Sequence, residues 1–202
     1  MATRDAPMGF RPAFHHTGGT IRVSQVPYQI IDGYGTGIGM GDPVIAVSTG
    51  GTVGPAINIG VAASGGAQLG FLGVFNGCSF QNLAGEMTYS KHWPASQALK
   101  TGTLARAYVY DDPEIVYRIQ ASGAIVTGDI WDQADMNDTA FDTTTGISRR
   151  EVNSSAIGNP NLQILGLVED GANELGTNTE LLVMFNESAW RNDGAGSIQN
   201  LA

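Results

Sequence analysis

The chain has one cysteine, Cys78, in 202 residues. A single thiol excludes an intramolecular disulfide framework and a cysteine-based zinc cluster. Cys78 sits in the apolar run GVFNGCSF, where a buried, inert thiol is the simpler reading. Charge is scarce: 14% of residues are Asp, Glu, Lys or Arg, and only 10 are basic against 19 acidic. The deficit of basic groups is uneven. Residues 1–100 carry five basic and four acidic side chains; the remainder carry five and fifteen. So acidic a second half repels phosphate, which argues against a nucleic-acid partner. No apolar stretch reaches transmembrane length without glycine or polar interruption, so no membrane span is expected. The opening MATRDAPMGF lacks the apolar segment of a secretory signal, and synthesis in a reducing cytoplasm is the expectation.

Catalytic signatures are missing as well. There is no Gly-x-Ser-x-Gly turn to strain a nucleophilic serine, and no Gly-Lys-Ser/Thr to cradle phosphate. The loop GYGTGIGMG places Gly35, Gly37 and Gly39 at alternate positions, whereas a dinucleotide fingerprint needs Gly-x-Gly-x-x-Gly opening a helix. A strand, DPVIAVS, follows instead, so the loop reads as a connection. Asp129, Asp132, Asp135 and Asp138 recur every third residue and would share part of a helix face. Calcium loops need ligands at alternate positions around a sharp glycine turn, and that pattern is absent. Adjacent His15 and His16 cannot share a strand face, and no cysteine or carboxylate cluster accompanies them or His92. Asp111, Asp112 and Glu114 look like paired acids but more simply cap a turn. The expectation is no catalytic residue, no cofactor, no metal and no enzyme activity.

What is present is glycine and β-forming sequence. Gly numbers 28, and 42% of residues are hydrophobic. Glycine disfavours helix interiors and serves turns and bulges, so the composition favours a loop-rich, all-β protein of small barrel or sandwich units with long loops. Leu104 to Gln120, LARAYVYDDPEIVYRIQ, alternates with period two on both sides of DDPE and predicts an antiparallel hairpin. Further strands are expected at residues 42–48, 57–61, 69–80, 86–90, 124–127, 161–169 and 180–186, and a helix at 129–136 with Asp129 as N-cap. The shift in charge balance near residues 94–102 suggests a β-rich region at 20–98 and a barrel-like domain at 99–190. The residues expected to contribute heavily to the latter's core are Tyr108, Val109, Ile115, Tyr117, Ile164, Leu165, Leu167, Leu182, Val183 and Phe185. Residues 191–202 read as a flexible tail.

Residues 1–19 read as an extended arm. Pro7, Gly9, Pro12, Gly18 and Gly19 break regular structure, yet Met8, Phe10 and Phe14 are apolar and Arg4 and Arg11 are cationic. Such a segment is expected to be mobile alone and to dock on a partner, with Met8, Phe10, Arg11 and Phe14 as contact residues.

Several stretches carry a family likeness: GDPV (41–44), GVFNGCSF (73–80), YSKHWPA (89–95), AYVYDDPEIVYRIQ (107–120), TTTGISRREV (143–152), LQILGLVEDGANELG (162–176) and VMFNES (183–188). Together they resemble a group of tailed-bacteriophage virion proteins similar to head decoration, or cement, proteins. The likeness spans most of residues 10–188. It implies a β-rich structural protein on the capsid exterior, made in the host cytoplasm, with the major capsid protein as partner and a homo-oligomer, often a trimer, as working form. It carries no catalytic motif. A tail-associated receptor- or carbohydrate-binding module is the alternative, since Trp93, Trp131 and Trp190 are available to stack on sugars.

Overall fold

A computed structural model describes residues 4–47, 57–63, 70–186 and 188–190. Among them the fold is all-β, with twelve strands, one short 3-10 turn at Thr127–Asp129 and no α-helix. The strands are β1 (Arg11–His15), β2 (Tyr28–Ile30), β3 (Pro43–Ala46), β4 (Ile57–Val61), β5 (Phe71–Gln81) and β6 (Met87–Ser90). They continue as β7 (Ala105–Tyr110), β8 (Ile115–Gln120), β9 (Gln133–Met136), β10 (Val152–Ile157), β11 (Leu162–Leu167) and β12 (Glu180–Phe185). The tail expected at 191–202 lies outside the described residues, as do residues 48–56 and 64–69.

Five strands close a barrel in the order β3-β4-β2-β7-β5, with β3 pairing back onto β5 and β6 continuing from β5. All its pairings are antiparallel except β2 with β4. The long β5 makes closure possible. Its first half pairs with β3, and its second half pairs with β6. Gly73 lies where β5 runs between β3 and β7, at φ +151°, and a Cβ there would stand 1.9 Å from the Tyr110 carbonyl oxygen. Only glycine allows backbones this close. The barrel interior is filled by Tyr28, Ile30, Val44, Ile59, Leu72, Phe75, Cys78, Ala105 and Val109, among others.

The second sheet is antiparallel, in the order β1-β8-β12-β11-β9-β10. Ile115, Tyr117, Ile119, Leu162, Ile164, Leu181, Val183 and Phe185 form its core with Phe71 and Val74 of the barrel wall. The two cores therefore meet along β5, whose successive side chains serve one or the other.

The central hairpin does not form. β7 pairs with β2 and β5 in the barrel, while β8 pairs with β1 and β12 in the other sheet. The DDPE turn is where the chain crosses between sheets. Asp112 Oδ1 accepts the Glu114 N–H at 2.9 Å as a turn cap, and Asp111 Oδ2 accepts the Tyr28 hydroxyl at 2.9 Å. The crossing moves the boundary expected at 98/99: the barrel draws its strands from residues 28–110, and the open sheet draws on β1 as well as on residues 115–185.

The helix expected at 129–136 is a 3-10 turn followed by β9. Asp129 accepts the Val126 N–H at 2.8 Å and closes that turn, and Trp131 then adopts φ +70°, which no helix continues through. The strand expected at 124–127 is loop running into the same turn.

A buried ionic node ties the barrel to the loop preceding β10. Asp42 accepts the Gly39 N–H at 2.7 Å and the Ser148 hydroxyl at 2.6 Å. Arg150 Nε stands 3.4 Å from Asp42, a charge contact with no hydrogen bond, and its Nη1 donates to Asp138 at 2.8 Å. Burial pushes the Asp42 carboxyl up, while Ser148, the Gly39 N–H and Arg150 pull it back.

Candidate docking groove along the first strand

Residues 4–15 belong to the fold, which corrects the expected mobile arm. Gln120, buried on β8, holds the chain on both sides: its Oε1 accepts the Ala6 N–H at 2.9 Å and its Nε2 donates to the Arg4 carbonyl at 2.8 Å. Phe10 is 1% exposed, 5.0 Å from Phe185 and edge-on to Tyr117 at 6.0 Å between ring centres. Composition had suggested a segment unable to bury enough surface to order itself. The surface it buries belongs to β8 and β12, which are remote in sequence.

The four contact residues therefore part company. Phe10 is core. Met8 is half-buried and lines a cleft of about 250 Å³ with Met40, Phe75 and Tyr110. Arg11, which also borders that cleft, lines with Phe14 a groove of about 650 Å³. Phe14 is 47% exposed there.

Register builds this groove. Arg11 lies opposite Arg118 on β8, and Arg118 lies opposite Leu182 on β12, so the three form one row across neighbouring strands. Pro12, Tyr117 and Val183 form the adjacent row on the core side. A bulge between Pro12 and Phe14 brings Phe14 opposite Val116. Leu167, Val168 and Glu169 complete the lining. The result is an apolar trough beside two cations.

The charges are unevenly satisfied. Arg118 pairs with Glu180, yet its Nε is buried without a hydrogen-bond partner. No ion pair is found for Arg11 among the described residues. Like charges directly opposite each other on a sheet cost stability, and a buried orphan donor costs more. An incoming carboxylate would relieve the repulsion between the two guanidinium groups.

Arg118, Leu167 and Leu182 were not expected as site residues. The available signal was a strand apolar on both faces: in ELLVMF, Leu181, Val183 and Phe185 face the core, while Leu182 alternates with them. Leu167 and Leu182, expected in the core, are half-buried lining of the groove.

The other candidates disperse. Asp132 caps the Gln133 N–H, Asp135 accepts the Asn161 amide, and Asp138 pairs with Arg150. His15 Nε2 lies 2.9 Å from Asp112, His16 is exposed, and His92 packs on Phe141 at 5.3 Å. No group of three or more His, Cys, Asp and Glu gathers as a metal centre among the described residues. Cys78 is buried in the barrel, and burial pushes its thiol up to about 12.

No known family model matches the sequence, no curated protein matches it, and no solved structure matches the fold.

Proposed function

We propose that this protein is a structural virion component, a decoration or cement protein that binds the exterior of a phage head and stabilises the shell. The observation that carries the reading is the groove along β1: an outward apolar trough with Phe14 exposed beside two cations, Arg11 and Arg118, that face each other across β1 and β8. Its chemistry suits an apolar, acidic segment of the major capsid protein. Many such modest contacts, repeated by symmetry and by a homo-oligomeric form such as a trimer, give strong attachment without any deep pocket. A protein that binds only the mature shell stabilises it by linkage. The sequence likeness to head decoration proteins points the same way.

The test is occupancy on purified shells, read by sedimentation and by electron microscopy. Phe14→Asp with Arg11→Glu should lower occupancy about tenfold or more at fixed protein concentration, since an aromatic anchor and a charge pair each contribute on the order of 1–2 kcal/mol or more at an interface. Wild-type occupancy by this variant would reject the groove as the attachment site.

The second reading is a tail-associated receptor- or carbohydrate-binding module. It draws on Trp131, which is 71% exposed and held at positive φ. Copies confined to the tail in particle images would favour it; copies arrayed over the head would reject it.

A further inference from the structure

Two places on the molecule hold most of its exposed large apolar side chains, and the charges around them are opposite. The first is the outer wall of the barrel at β6. Met87 and Tyr89 alternate there with half-buried Thr88 and Ser90, and Tyr89 is 75% exposed. Register extends the surface over neighbouring strands: Tyr89 lies opposite Ser79 on β5, and Ser79 lies opposite Arg106 on β7. The Arg106 guanidinium stands 5.9 Å over the Tyr108 ring, and the Tyr108 and Ser79 hydroxyls are hydrogen-bonded at 3.0 Å. Exposed Leu104 precedes Arg106 by two residues, and the Lys100 N–H donates to the carbonyl of Gln81, which faces Met87. Lys91 follows the strand. Arg106, Lys91 and Lys100 thus outnumber one acid, Glu86, and no ion pair is found for these cations among the described residues. β6 is also the end strand of its sheet. An edge strand that displays apolar side chains and carries no charge of its own is ordinarily covered.

The second place is the loop that enters β9. Val126 and Trp131 are exposed there, and Asp129 and Asp132 accompany them. The Ile125 N–H donates to the Gly176 carbonyl at 3.0 Å, which brings exposed Leu175 alongside. The backbone of Trp131 is held on both sides. Its N–H donates to the Ile164 carbonyl at 3.0 Å, and its carbonyl accepts the Gln163 amide at 2.7 Å. Its indole is left in water at positive φ, a costly conformation for so bulky a residue. A fixed backbone under an exposed indole presents an anchor with little entropy left to lose. No ion pair is found for Asp129 or Asp132 among the described residues.

We propose that these two surfaces bind each other head to tail, the barrel wall of one copy on the Trp131 loop of the next. Charge selects this arrangement. Residues 28–110 carry three basic and three acidic side chains, and residues 115–185 carry three and ten. Wall against wall would set cations on cations, and loop against loop would set aspartates on aspartates. Wall against loop sets Arg106, Lys91 and Lys100 near Asp129 and Asp132, with Tyr89 and Met87 meeting Trp131 and Val126. Tyrosine, tryptophan and arginine are also the side chains that dominate interface energetics. A contact between two different surfaces repeats from copy to copy and closes into a ring where its rotation permits. It adds a named contact to the homo-oligomer of the virion reading and stands without the shell. An indole buried in it is not free to stack on a sugar, which weighs against the carbohydrate reading.

Sedimentation velocity and native mass spectrometry of the full chain, in the absence of shells, test the contact. Wild-type protein should form a discrete ring. Tyr89→Glu disables the wall and Trp131→Glu disables the loop. Each contact in the ring uses both surfaces, so each variant should sediment as a monomer, its association weakened about tenfold or more. Both side chains stand largely in water, so each variant should still fold. Mixed together, the two variants should form a one-to-one dimer and nothing larger, because each supplies the surface the other has lost. Met87→Glu and Asp132→Arg take their places if either variant fails to fold. Wild-type protein that stays monomeric at high micromolar concentration overturns the proposal and leaves the wall to a foreign acidic partner. Assembly that survives either substitution overturns it as well. So does a mixture that stays monomeric, the result expected of a contact between two identical surfaces.

Discussion

At the scale of single residues, Phe10 shows how far a side chain's role depends on its neighbours. In the sequence it is one aromatic among prolines and glycines; in the fold it fills the space between Tyr117 and Phe185. Phe10→Ala should cost about 3–5 kcal/mol, measured by denaturant unfolding, because it empties a closed core position. Leu165→Ala should cost less than the roughly 2–5 kcal/mol of a fully buried leucine, since Leu165 is half-buried. Ile164, one residue earlier, is fully buried, as is Leu162 on the same strand. Cys78 tells the opposite story, because its apolar surroundings in the chain remain its surroundings in the barrel. A thiol pushed up to about 12 by burial holds almost no thiolate at pH 8. Native protein should therefore resist a thiol-reactive dye at that pH and react fully once unfolded.

At the scale of elements, β1 and the node at Asp42 decide how the parts are joined. Were the first nineteen residues the mobile arm expected from the sequence, deleting residues 2–16 would spare the fold. With β1 paired along β8 and Gln120 bonded to the segment before it, deletion exposes the strand edge and opens the core at Phe10. The truncated chain should melt well below the full-length protein, by ten degrees or more at the roughly 2–4 °C per kcal/mol of a chain this size. Such a truncation cannot report on attachment, which is why the groove is better probed with Phe14 and Arg11. Asp42→Ala should cost about 1–3 kcal/mol in the same unfolding assay, because the Gly39 N–H and the Ser148 hydroxyl lose a buried acceptor, while Arg150 keeps its bond to Asp138.

For the whole molecule, alkaline pH is the informative variable. Burial raises the Cys78 thiol above its ordinary 9.0, and burial, with Asp111 and Asp112 nearby, raises the Tyr28 and Tyr117 phenols above theirs. Each of these groups is neutral when protonated, and the folded state holds that form more strongly than the unfolded chain does. Their contribution to stability is complete below the unfolded values and is lost as pH rises toward the folded ones. Stability should hold up to about pH 9 and then fall, with Cys78 alone contributing about 1.4 kcal/mol per pH unit above its unfolded value. Melting temperatures from pH 7 to pH 11 check this, and Cys78→Ala should flatten the first part of the decline. Unfolding should also be a single transition by fluorescence and circular dichroism, since Phe71 and Val74 serve one core and Leu72 and Phe75 the other on the same strand.

Local chemistry settled a good deal before any folding. Scarce charge, abundant glycine and period-two alternation determined an all-β chain, and the strands at 57–61 and 180–186 lie where their alternation places them. The turn chemistry of DDPE was legible too, because an aspartate caps an N–H two residues away whatever the rest of the chain does. Which strands pair was not legible. IVYRIQ could close a hairpin with ARAYVY on local grounds, and it pairs instead with β1 and β12 because burying Tyr117 against Phe10 and Phe185 removes more apolar surface from water. The aspartates at 129–138 likewise carried a helical spacing that β9 overrode once Ala134 and Met136 had a core to enter. The groove depends wholly on register: Arg11, Arg118 and Leu182 are more than a hundred residues apart at the extremes, and only strand pairing puts them in one row. Composition and alternation act over a few residues, whereas partner choice is decided by the total surface buried, a property of the assembled fold alone.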